Sequence, residues 1–539
     1  MKKTAFILLL MTSAFCLSAQ TAADGYRFSK SNYEGSARTV AMGNAFTALG
    51  GDLGAVNINP ASLAVARYSQ ITLSPGVNLV INKAHGSTLP GEQVPYTFEK
   101  YMSNSWAKFD MPNMGVSFNI NTNRTRGIQN LAFGFVYNRT MNYQDNLIAR
   151  GTNANTSFMG AMAAGASGVY WDQLHADDAW DHQNWRSVVG WKSGMISTFD
   201  NVNDQYIANS ESYIKQGNEY IISQSGKLNQ SYGRLVSGGK EDMVFNFGMN
   251  IDNQLYLGVN LGITALTYIY DDYFSESAVN TSDFPLDFGA DGVTEFKSMK
   301  YQYAYSAEGV GVFGKFGVIY TPKNTGFRLG AAIQTPTTLG IDEQWQCAGE
   351  TKYTHSKFDA SATSPTGEYT YVLNTPMRAN FGAAYTLGGL GLISVDYEVC
   401  DYSGMRFIEE RRKWESTFDA TNESIKNTMG ASHNFRAGLE VKPIAELALR
   451  AGYGICTTGE RYINDTGRKI APKAFDQNVG FGFGYSSKNS FFADFACQYK
   501  KFATEYIYPY ETYIGDVPSP EIIGQKKMWN FILTIGARF

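Results

Sequence analysis

Hydrophobic and polar residues alternate along residues 528–539. The apolar face of this segment carries Trp529, Phe531, Leu533, Ile535, Ala537 and Phe539. The opposite face carries Asn530, Thr534, Gly536 and Arg538. Successive side chains of a strand point to opposite faces, so this period of two predicts a strand with one apolar side. A strand that faces lipid on one side and a polar lumen on the other requires this pattern.

The same alternation predicts fourteen strands. They lie at 70–81, 114–120, 130–143, 242–251, 254–270, 301–320, 326–341, 368–386, 389–402, 433–441, 446–456, 475–485, 490–502 and 528–539. Every second connection is a tight turn rich in Gly, Asn or Pro. These turns lie at 121–127, 252–253, 321–325, 387–388, 442–445 and 486–489, and the intervening connections are long and polar. Short turns at one end and long loops at the other predict an all-β, 14-stranded antiparallel transmembrane β-barrel with long extracellular loops and both barrel ends in the periplasm.

Charged residues test which face of each strand is polar. Eight of them fall on the face opposite the apolar row, and we predict that they line the lumen: Arg328, Arg378, Asp396, Glu398, Arg436, Arg450, Asp494 and Lys500. A lipid-facing Arg or Lys near the bilayer centre costs roughly 2–4 kcal/mol, so the opposite register would carry several such penalties. A soluble β-sandwich is the alternative, but it would not place all long connections on one side.

Glycines crowd the predicted lumen face. They include Gly258, Gly262, Gly311, Gly317, Gly438, Gly452, Gly454, Gly480, Gly482 and Gly484. Glycine in a strand marks a place where a ligand or another backbone approaches, or it eases the curvature of the sheet. Both explanations stay open at this point. A bore of this size leaks unless something fills it.

The segment before the first strand, residues 20–67, is the predicted plug. Ser36 can cap a short helix that ends at Gly50 and Gly51. Asn59 can cap a second helical turn whose first residue is Pro60, a position where the missing N–H costs nothing. The sequence therefore predicts a small helical hatch directly before the barrel, which itself spans residues 68–539.

The first residues predict export. Two lysines, an apolar run at 5–15 and the small residues Ser18 and Ala19 indicate a cleaved secretory signal over 1–19, with cleavage near Ala19 or Gln20. After this signal, no run of about eighteen apolar residues exists, so helical membrane spans are excluded. The content of 54 Gly, 34 Tyr and 34 Phe is typical of a barrel. A net charge of −4 without a basic stripe argues against nucleic acid as a partner.

The plug residues resemble the outer-membrane transporters of hydrophobic compounds of the FadL and TodX type. The matching residues are Ser36-Ala37-Arg38, Met42-Gly43-Asn44-Ala45-Phe46-Thr47-Ala48, Gly51-Asp52 and Asn59-Pro60-Ala61. The resemblance implies a hatch inside a fourteen-strand barrel in the outer membrane, in contact with its lipid. It further implies passive transport of long-chain fatty acids or similar apolar molecules, gated by Phe46, Asn59, Pro60 and Ala61, without a cofactor. In that family the ligand is thought to leave through a gap in the wall at a kinked third strand, where Gly134 is the candidate for the kink.

One connection departs from that pattern. The segment at about 144–241 is long and contains the apolar residues Phe158, Met159 and Met162. They could form an exposed surface that collects ligand, they could dock a partner protein, or they could pack as a helix in a small loop domain. The second functional hypothesis follows from this loop: a receptor or scaffold barrel of the same fold that holds a surface or secreted protein.

Catalysis has little support in the sequence. The five histidines fall in loops or at the rim, so no lumenal Ser-His-acid set is visible. Paired acids such as Asp177-Asp178 and Asp271-Asp272 lie in exposed loops, where solvation is the common outcome. We therefore expect neither an enzyme nor a metal site.

Overall fold

The computed structural model describes residues 20–88, 96–200, 202–217, 219–410, 417–463, 468–487, 490–514 and 517–539. The predicted signal at 1–19 lies outside the described residues, and so does part of the predicted turn at 486–489. Within the described residues, no helix is both long and apolar enough to cross a bilayer.

In the described part of the chain, fourteen antiparallel strands close into a barrel. They are β1 (Gln70–Gly86), β2 (Met102–Asn121), β3 (Ile128–Asn142), β4 (Leu228–Ile251), β5 (Leu255–Ala278), β6 (Val293–Tyr320), β7 (Phe327–Gln334 and Thr338–Tyr353), β8 (Gly367–Asn374 and Arg378–Thr386), β9 (Gly391–Asp401), β10 (Ala431–Ile444), β11 (Leu447–Thr457), β12 (Phe475–Ser486), β13 (Phe491–Lys501) and β14 (Ile522–Arg538). Each strand pairs with the next, and β14 pairs with β1 from Gln70–Arg538 to Gly86–Ile522, which closes the ring. The predicted fold class is confirmed.

The outer surface carries an apolar belt. Its exposed members include Leu261, Val310, Phe316, Phe381, Phe435 and Phe481. Their inward neighbours on the same strands are buried or small, as the alternation requires. An apolar exterior around a polar interior is the surface that lipid stabilises. Strand β6 has 28 residues, far more than the nine to eleven that cross a bilayer, so the wall continues beyond the belt.

Strands β7 and β8 are interrupted at the same height. The break in β7 contains Pro336, and the break in β8 contains Pro376. Proline cannot donate to the ladder and is confined to such breaks. The threonines beside the prolines bridge the gap, since Thr337 N donates to Thr375 Oγ1 at 2.9 Å and Thr375 N donates to Thr337 O at 3.0 Å.

Eight helices lie inside the barrel or in its loops within the described residues. They are α1 (Ala22–Ser29), α2 (Ala37–Ala41), α3 (Ser62–Val65), α4 (Phe158–Ala166), α5 (Trp171–His175), α6 (Ala179–His182), α7 (Trp185–Lys192) and α8 (Asp419–Thr428). Short loop strands lie at Asp145–Asn153, Ile196–Phe199, Val202–Ala208, Glu211–Gln216, Glu219–Gln224, Pro285–Asp287, Ala360–Thr363, Arg406–Glu409, Tyr462–Ile463, Lys469–Ile470 and Glu505–Ile507. We call the end of the barrel with the long connections the loop end and the other end the turn end.

Candidate functional site

Residues 20–67 are mostly buried and pack against inward-facing residues of the wall strands, and we call this segment the hatch. Ser36 caps α2 by accepting a hydrogen bond from Thr39 N at 3.3 Å. The apolar side chains Val40, Phe46 and Leu49 are buried, with at most 2% of their surface exposed. A peptide this short cannot form a core of its own, so the barrel wall supplies the other half of its packing.

Asn59 and Pro60 connect the hatch to two wall strands by hydrogen bonds. Its Oδ1 accepts from Ala61 N at 3.0 Å, which is the cap that the sequence predicts. Its Nδ2 donates to Thr47 O at 2.7 Å within the hatch and to Val318 O of β6 at 3.1 Å. Pro60 O in turn accepts from Asn246 Nδ2 of β4 at 2.9 Å. Asn59, Pro60 and Ala61 are buried, and Phe46 lies beneath the Arg38 guanidinium at 5.5 Å.

Wall glycines allow the hatch backbone to approach. A Cβ on Gly258 would lie 2.2 Å from the carbonyl carbon of Pro60, and one on Gly452 would lie 2.1 Å from Gly43 N. A Cβ would also meet hatch backbone at Gly330, Gly438 and Gly480, and hatch side chains at Gly317, Gly382 and Gly482; together with Gly258 and Gly452 we call these the hatch glycines. Close approach of the hatch therefore explains these positions. By contrast, Gly262, Gly311, Gly454 and Gly484 face atoms of the wall itself.

Seven of the eight charges predicted for the lumen lie in ionic or hydrogen-bonded groups around the hatch. Glu398 pairs with Arg378 and, at 2.6 Å, with Arg436. Asp396 accepts from Thr47 N and Oγ1, both at 2.7 Å. Three pairs complete these groups: Arg450 with Glu440 at 2.7 Å, Arg450 with Asp494 at 2.5 Å, and Lys500 with hatch Glu34 at 3.0 Å. Arg328 lies apart from these groups, and its Nε has no hydrogen-bond partner in the described structure.

Sequence analysis missed two lysines that hold the hatch. Lys240 Nζ donates to Phe28 O at 3.0 Å and to Lys30 O at 2.6 Å, beyond the last turn of α1. Lys315 Nζ donates to Asn57 O at 2.7 Å and to Tyr33 Oη at 3.1 Å. Both side chains thus donate hydrogen bonds to backbone carbonyl oxygens of the hatch, which buried carbonyls require. The sequence signal that could have identified them is a lysine at an inward-facing position of a strand.

A cavity of about 880 Å³ lies between the hatch and the loop end, and we call it the chamber. Seven tyrosines line it: Tyr26, Tyr143, Tyr268, Tyr270, Tyr303, Tyr305 and Tyr506. Helix α1 forms another side with Tyr26 and Arg27, and Lys30 follows directly after this helix. The chamber is therefore aromatic and ionic rather than purely apolar, and it suits a molecule that has both characters.

Among the described residues that line the chamber, one cationic side chain has no ionic partner. Arg27 pairs with Asp24 at 2.5 Å, Lys30 with Asp476 at 2.6 Å, and Arg234 with both Asp145 and Glu505 at 2.6 Å. The side-chain Nζ of Lys526, on β14, forms no hydrogen bond or ion pair with any described residue, and it lies 5.2 Å from the centre of the Phe502 ring. An ammonium group in this position attracts an anionic group of a ligand.

The wall is split between β2 and β3. Their ladder runs only from Asn121–Asn130 to Asn113–Asn138, and from there β2 continues toward the loop end paired with β1 alone. Within β2, Pro112 is the next residue from Asn113 toward the loop end, and β3 has a bulge between Arg139 and Met141. The hatch covers the inner side of this split, since Asn32 N donates to Thr140 O at 2.6 Å.

Gly134 does not produce the kink predicted for the third strand. A Cβ at this position would lie 2.8 Å from the side chain of hatch residue Leu63, so Gly134 provides room for the hatch. The ladder of β3 with β4 is irregular at Ile128–Asn130 and at Arg139–Met141, and the Arg139 guanidinium bonds to Asp110 of β2 and, at 3.3 Å, to Glu241 of β4. A bulge bends its strand and terminates pairing, which is what β3 shows here.

The long connection between β3 and β4 forms a loop domain of helices α4 to α7 and two strand pairs. Phe158, Met159 and Met162 lie on α4 and are buried in its core, with at most 4% of their surface exposed. The structure thus shows the third alternative drawn from the sequence, a helix packed in a loop domain. An exposed collecting surface made of these three side chains does not match their burial.

Two buried carboxylates connect the loop domain to the barrel. Glu276 of β5 accepts from Ser157 Oγ at 2.7 Å and from Phe158 N at 2.8 Å, where α4 begins. Glu211 accepts from Tyr513 Oη at 2.6 Å, and Tyr513 belongs to the connection between β13 and β14. Burial raises the pKa of Glu211 from its usual 4.5 to about 7.

We predict that the loop domain is held more weakly at alkaline pH. The folded-state pKa of Glu211 is raised, so its neutral form stabilises the packing below pH 4.5, and this stability is lost as the pH rises through about 7. The difference corresponds to roughly 3 kcal/mol. Limited proteolysis of the loop domain should accelerate between pH 5 and pH 8. Glu211→Gln should remove this dependence, and equal acceleration in both proteins would contradict the assignment.

One comparison with a solved structure supports the fold. A FadL homologue from Pseudomonas aeruginosa is 11% identical and superposes with a TM-score of 0.50 over 94% of this chain and 99% of that one. The toluene transporter TodX of P. putida is 13% identical, with a TM-score of 0.48 over 94% and 99%. The toluene transporter TbuX of Ralstonia pickettii is 13% identical, with a TM-score of 0.44 over 94% and 99%. No family model and no curated protein sequence matches the chain.

Proposed function

We propose that this chain is an outer-membrane transporter of the FadL and TodX type, which carries hydrophobic molecules with a polar or anionic end, such as long-chain fatty acids, by passive diffusion. The observation that carries the proposal is the chamber, which lies directly on the hatch and presents tyrosines together with the unpaired Lys526. The fold shared with a FadL homologue supports the same conclusion. In this proposal the long loops are extracellular and both barrel ends are periplasmic.

The ligand enters the chamber from the loop end. Its aliphatic or aromatic part packs on the tyrosines, and its anionic end binds Lys526. The hatch blocks the direct path through the bore, because Asn59 and Pro60 are hydrogen-bonded to the wall and Ala61 and Phe46 are buried. Movement of these residues is the gating step, and the protein performs no chemical reaction.

The split between β2 and β3 is the proposed exit. Beyond Asn113, β2 lacks a partner on its β3 side, so separation there breaks no ladder hydrogen bond between these two strands. Phe109 on this part of β2 is exposed on the outside, where it meets lipid. A hydrophobic molecule that leaves sideways stays in an apolar medium and avoids the water beyond the hatch.

Replacing Lys526 with Gln should raise the half-saturating concentration for uptake of labelled oleate. A hydrogen bond to a charged group contributes about 1.5–3 kcal/mol, which corresponds to roughly tenfold to a hundredfold. Lys527→Gln is the matched control, because Lys527 is the next residue of the same strand and points to the other face. Uptake by cells that carry only this protein measures both, and equal values for the two variants would exclude the role of Lys526.

One specific observation favours the scaffold hypothesis. Strands Glu211–Gln216 and Glu219–Gln224 form a hairpin outside the barrel sheet, and its paired residues Ile214 and Ile221 are 63% and 47% exposed. Paired exposed apolar side chains indicate an interaction surface. Oleate uptake that is unchanged by removing the gene or by deleting residues 59–61, together with a stable copurifying protein, would favour this second function.

A further inference from the structure

Three lysines form a cationic patch on the outside of the barrel near the loop end. We call Lys83 of β1, Lys501 of β13 and Lys527 of β14 the lysine patch. Lys501 and Lys527 lie directly opposite each other in the ladder of β13 and β14. Lys527 also lies opposite Ile81 of β1, so Lys83, two residues farther along β1, is its diagonal neighbour. The Cβ atoms of opposite residues are about 4.5–5.5 Å apart and those of diagonal neighbours about 7–8 Å, so all three ammonium groups can reach one ligand.

The lysine patch lies on the same side of the wall as the apolar belt. Each of its lysines is an even number of positions away from an exposed apolar residue of its own strand, which places both side chains on one face. These exposed residues are Val77 on β1, Phe491 on β13 and Phe531 on β14. The lysine patch therefore lies on the outer face of the wall, whereas Lys526 and the chamber lie on the inner face.

The lysine patch lies at the edge of the belt that is nearer the loop end. Along β14 and the residue after it, the belt runs from Phe539 to Trp529, and the centre of the Trp529 ring lies 4.8 Å from that of Tyr499 on β13. This length of strand spans about 33 Å. At the usual strand tilt of about 40°, it corresponds to about 25 Å of height, which is the height of the apolar band of such barrels. Aromatic residues mark the edges of this band, so Lys527, two positions beyond Trp529, lies at the level of the lipid headgroups.

Among the described residues, no acid compensates the charge of the lysine patch. None of its three Nζ atoms has a hydrogen bond or an ion pair with a described residue. The outward positions of β1, β13 and β14 carry no aspartate or glutamate, and neither do those of β2 from 103 to 109. Like charges directly opposite each other destabilise a sheet, so an anion bound between Lys501 and Lys527 would stabilise the wall.

The surface beyond the lysine patch is polar and aromatic. Ser103 of β2 and Gln525 of β14 lie opposite Lys83 on its two sides. Two positions farther toward the loop end, the rings of His85 and Tyr101 stack with their centres 4.6 Å apart. Hydroxyl and amide groups bind the hydroxyl groups of a sugar, and aromatic faces pack against its C–H groups. From the belt to the loop end, the outer surface is therefore apolar, then cationic, then polar with aromatic rings.

We propose that the lysine patch binds the phosphate of a phosphorylated glycolipid in the outer leaflet of the membrane. The acyl chains of this lipid lie on the belt, and its sugar contacts the polar and aromatic surface beyond the lysines. Lysine suits a phosphate because its ammonium group is a compact charge on a flexible stem. The inference rests on the proposed orientation, in which the loop end is extracellular, and not on the identity of the transported molecule. Because the lipid contacts only the outer face of the wall, Lys527→Gln still serves as the control for Lys526 in oleate uptake.

Native mass spectrometry of the purified full chain with added lipid A measures this binding without any transport. The double variant Lys83→Gln/Lys501→Gln should bind lipid A about twenty-five times more weakly than the wild type, since each lysine contributes about fivefold. Lys297→Gln/Lys300→Gln is the matched control, because it removes the same charge from β6 about 33 Å beyond the belt residue Val310. This control should bind as the wild type does, and equal affinity of the wild type and the double variant of the lysine patch would overturn the proposal.

Three further ligands identify the source of the phosphate. Dephosphorylated lipid A and phosphatidylglycerol should each bind the wild type about tenfold more weakly than lipid A, because one lacks the phosphate and the other the sugar. Inorganic phosphate in large excess should leave lipid A bound, since the acyl chains also contribute. Equal binding of phosphatidylglycerol would show attraction of any anionic headgroup, and displacement by inorganic phosphate would show a site for the free anion. Either result would overturn the proposal.

Thermal unfolding in detergent separates a loss of binding from a loss of fold. A ligand that binds only the folded protein raises its Tm, so lipid A should raise the Tm of the wild type and much less that of Lys83→Gln/Lys501→Gln. Without lipid A, this variant should unfold at or above the Tm of the wild type, because repulsion between lysines is relieved. Lys501→Arg keeps the charge and should retain binding, and its failure to bind lipid A would contradict a site based on charge.

Discussion

The substitution Gly330→Ala is expected to displace the hatch without disrupting the fold of the barrel wall. A Cβ at Gly330 would lie 2.0 Å from Thr47 O and 2.7 Å from Ala48 Cα, and both contacts are with backbone. Backbone cannot rotate away as a long side chain does. Overpacking of this kind costs typically about 1–3 kcal/mol, and the strain falls on the hatch because β7 is held by strands on both sides.

Single-channel conductance in planar bilayers measures the effect. The wild type should be closed for most of the time, and Gly330→Ala should show a large increase in open probability, on the order of tenfold to a hundredfold for 1.4–3 kcal/mol. Gly340→Ala is the matched control on the same strand, because its nearest contact would be Val310 O at 3.8 Å, an ordinary distance. The close-approach explanation of the hatch glycines fails if both variants behave alike.

Glu398→Gln is expected to destabilise the folded barrel more than any other single substitution of a wall charge. The carboxylate neutralises the guanidinium groups of Arg378 and Arg436, and all three side chains are at most 7% exposed. Arg378 also donates to Ser29 O of the hatch at 3.4 Å. Removing the anion leaves two buried cations, and breaking a buried ionic group by deleting one partner costs about 3–5 kcal/mol.

Urea unfolding of the protein in lipid vesicles gives the free energy of unfolding for this comparison. Glu350→Gln removes a carboxylate from a half-exposed pair, so its unfolding free energy should change by about 0–1 kcal/mol. A loss below about 1 kcal/mol for Glu398→Gln would mean that the guanidinium groups find other partners or water inside the bore.

The order and number of the strands follow from the sequence alone. Alternation is a local property, and a barrel wall that separates lipid from a polar lumen imposes it on every strand. The same contrast between lipid and polar lumen predicted that charged side chains such as Glu398 and Arg436 point inward. The strands are longer than predicted, because residues beyond the membrane no longer need alternation; β4 begins at Leu228 rather than at residue 242.

The caps of the hatch were also visible in the sequence, since Ser36 and Asn59 act on residues two or three positions away. The sequence did not predict which wall strands the capped segments of the hatch contact. Asn59 meets β6 across 259 residues of sequence, and only closure of the barrel brings the two together. For the same reason the sequence left open whether the wall glycines ease curvature or admit another backbone.

Tertiary structure alone decided the remaining features. The unpaired state of Lys526 depends on which acids of the chamber already have partners, and these acids and their partners come from α1, β4, β12 and neighbouring loops. The burial of Phe158 and the bulge at Arg139 likewise depend on elements distant in sequence. Local periodicity determines which way a side chain points, whereas its partner is determined by the closed ring and by the segment folded inside it.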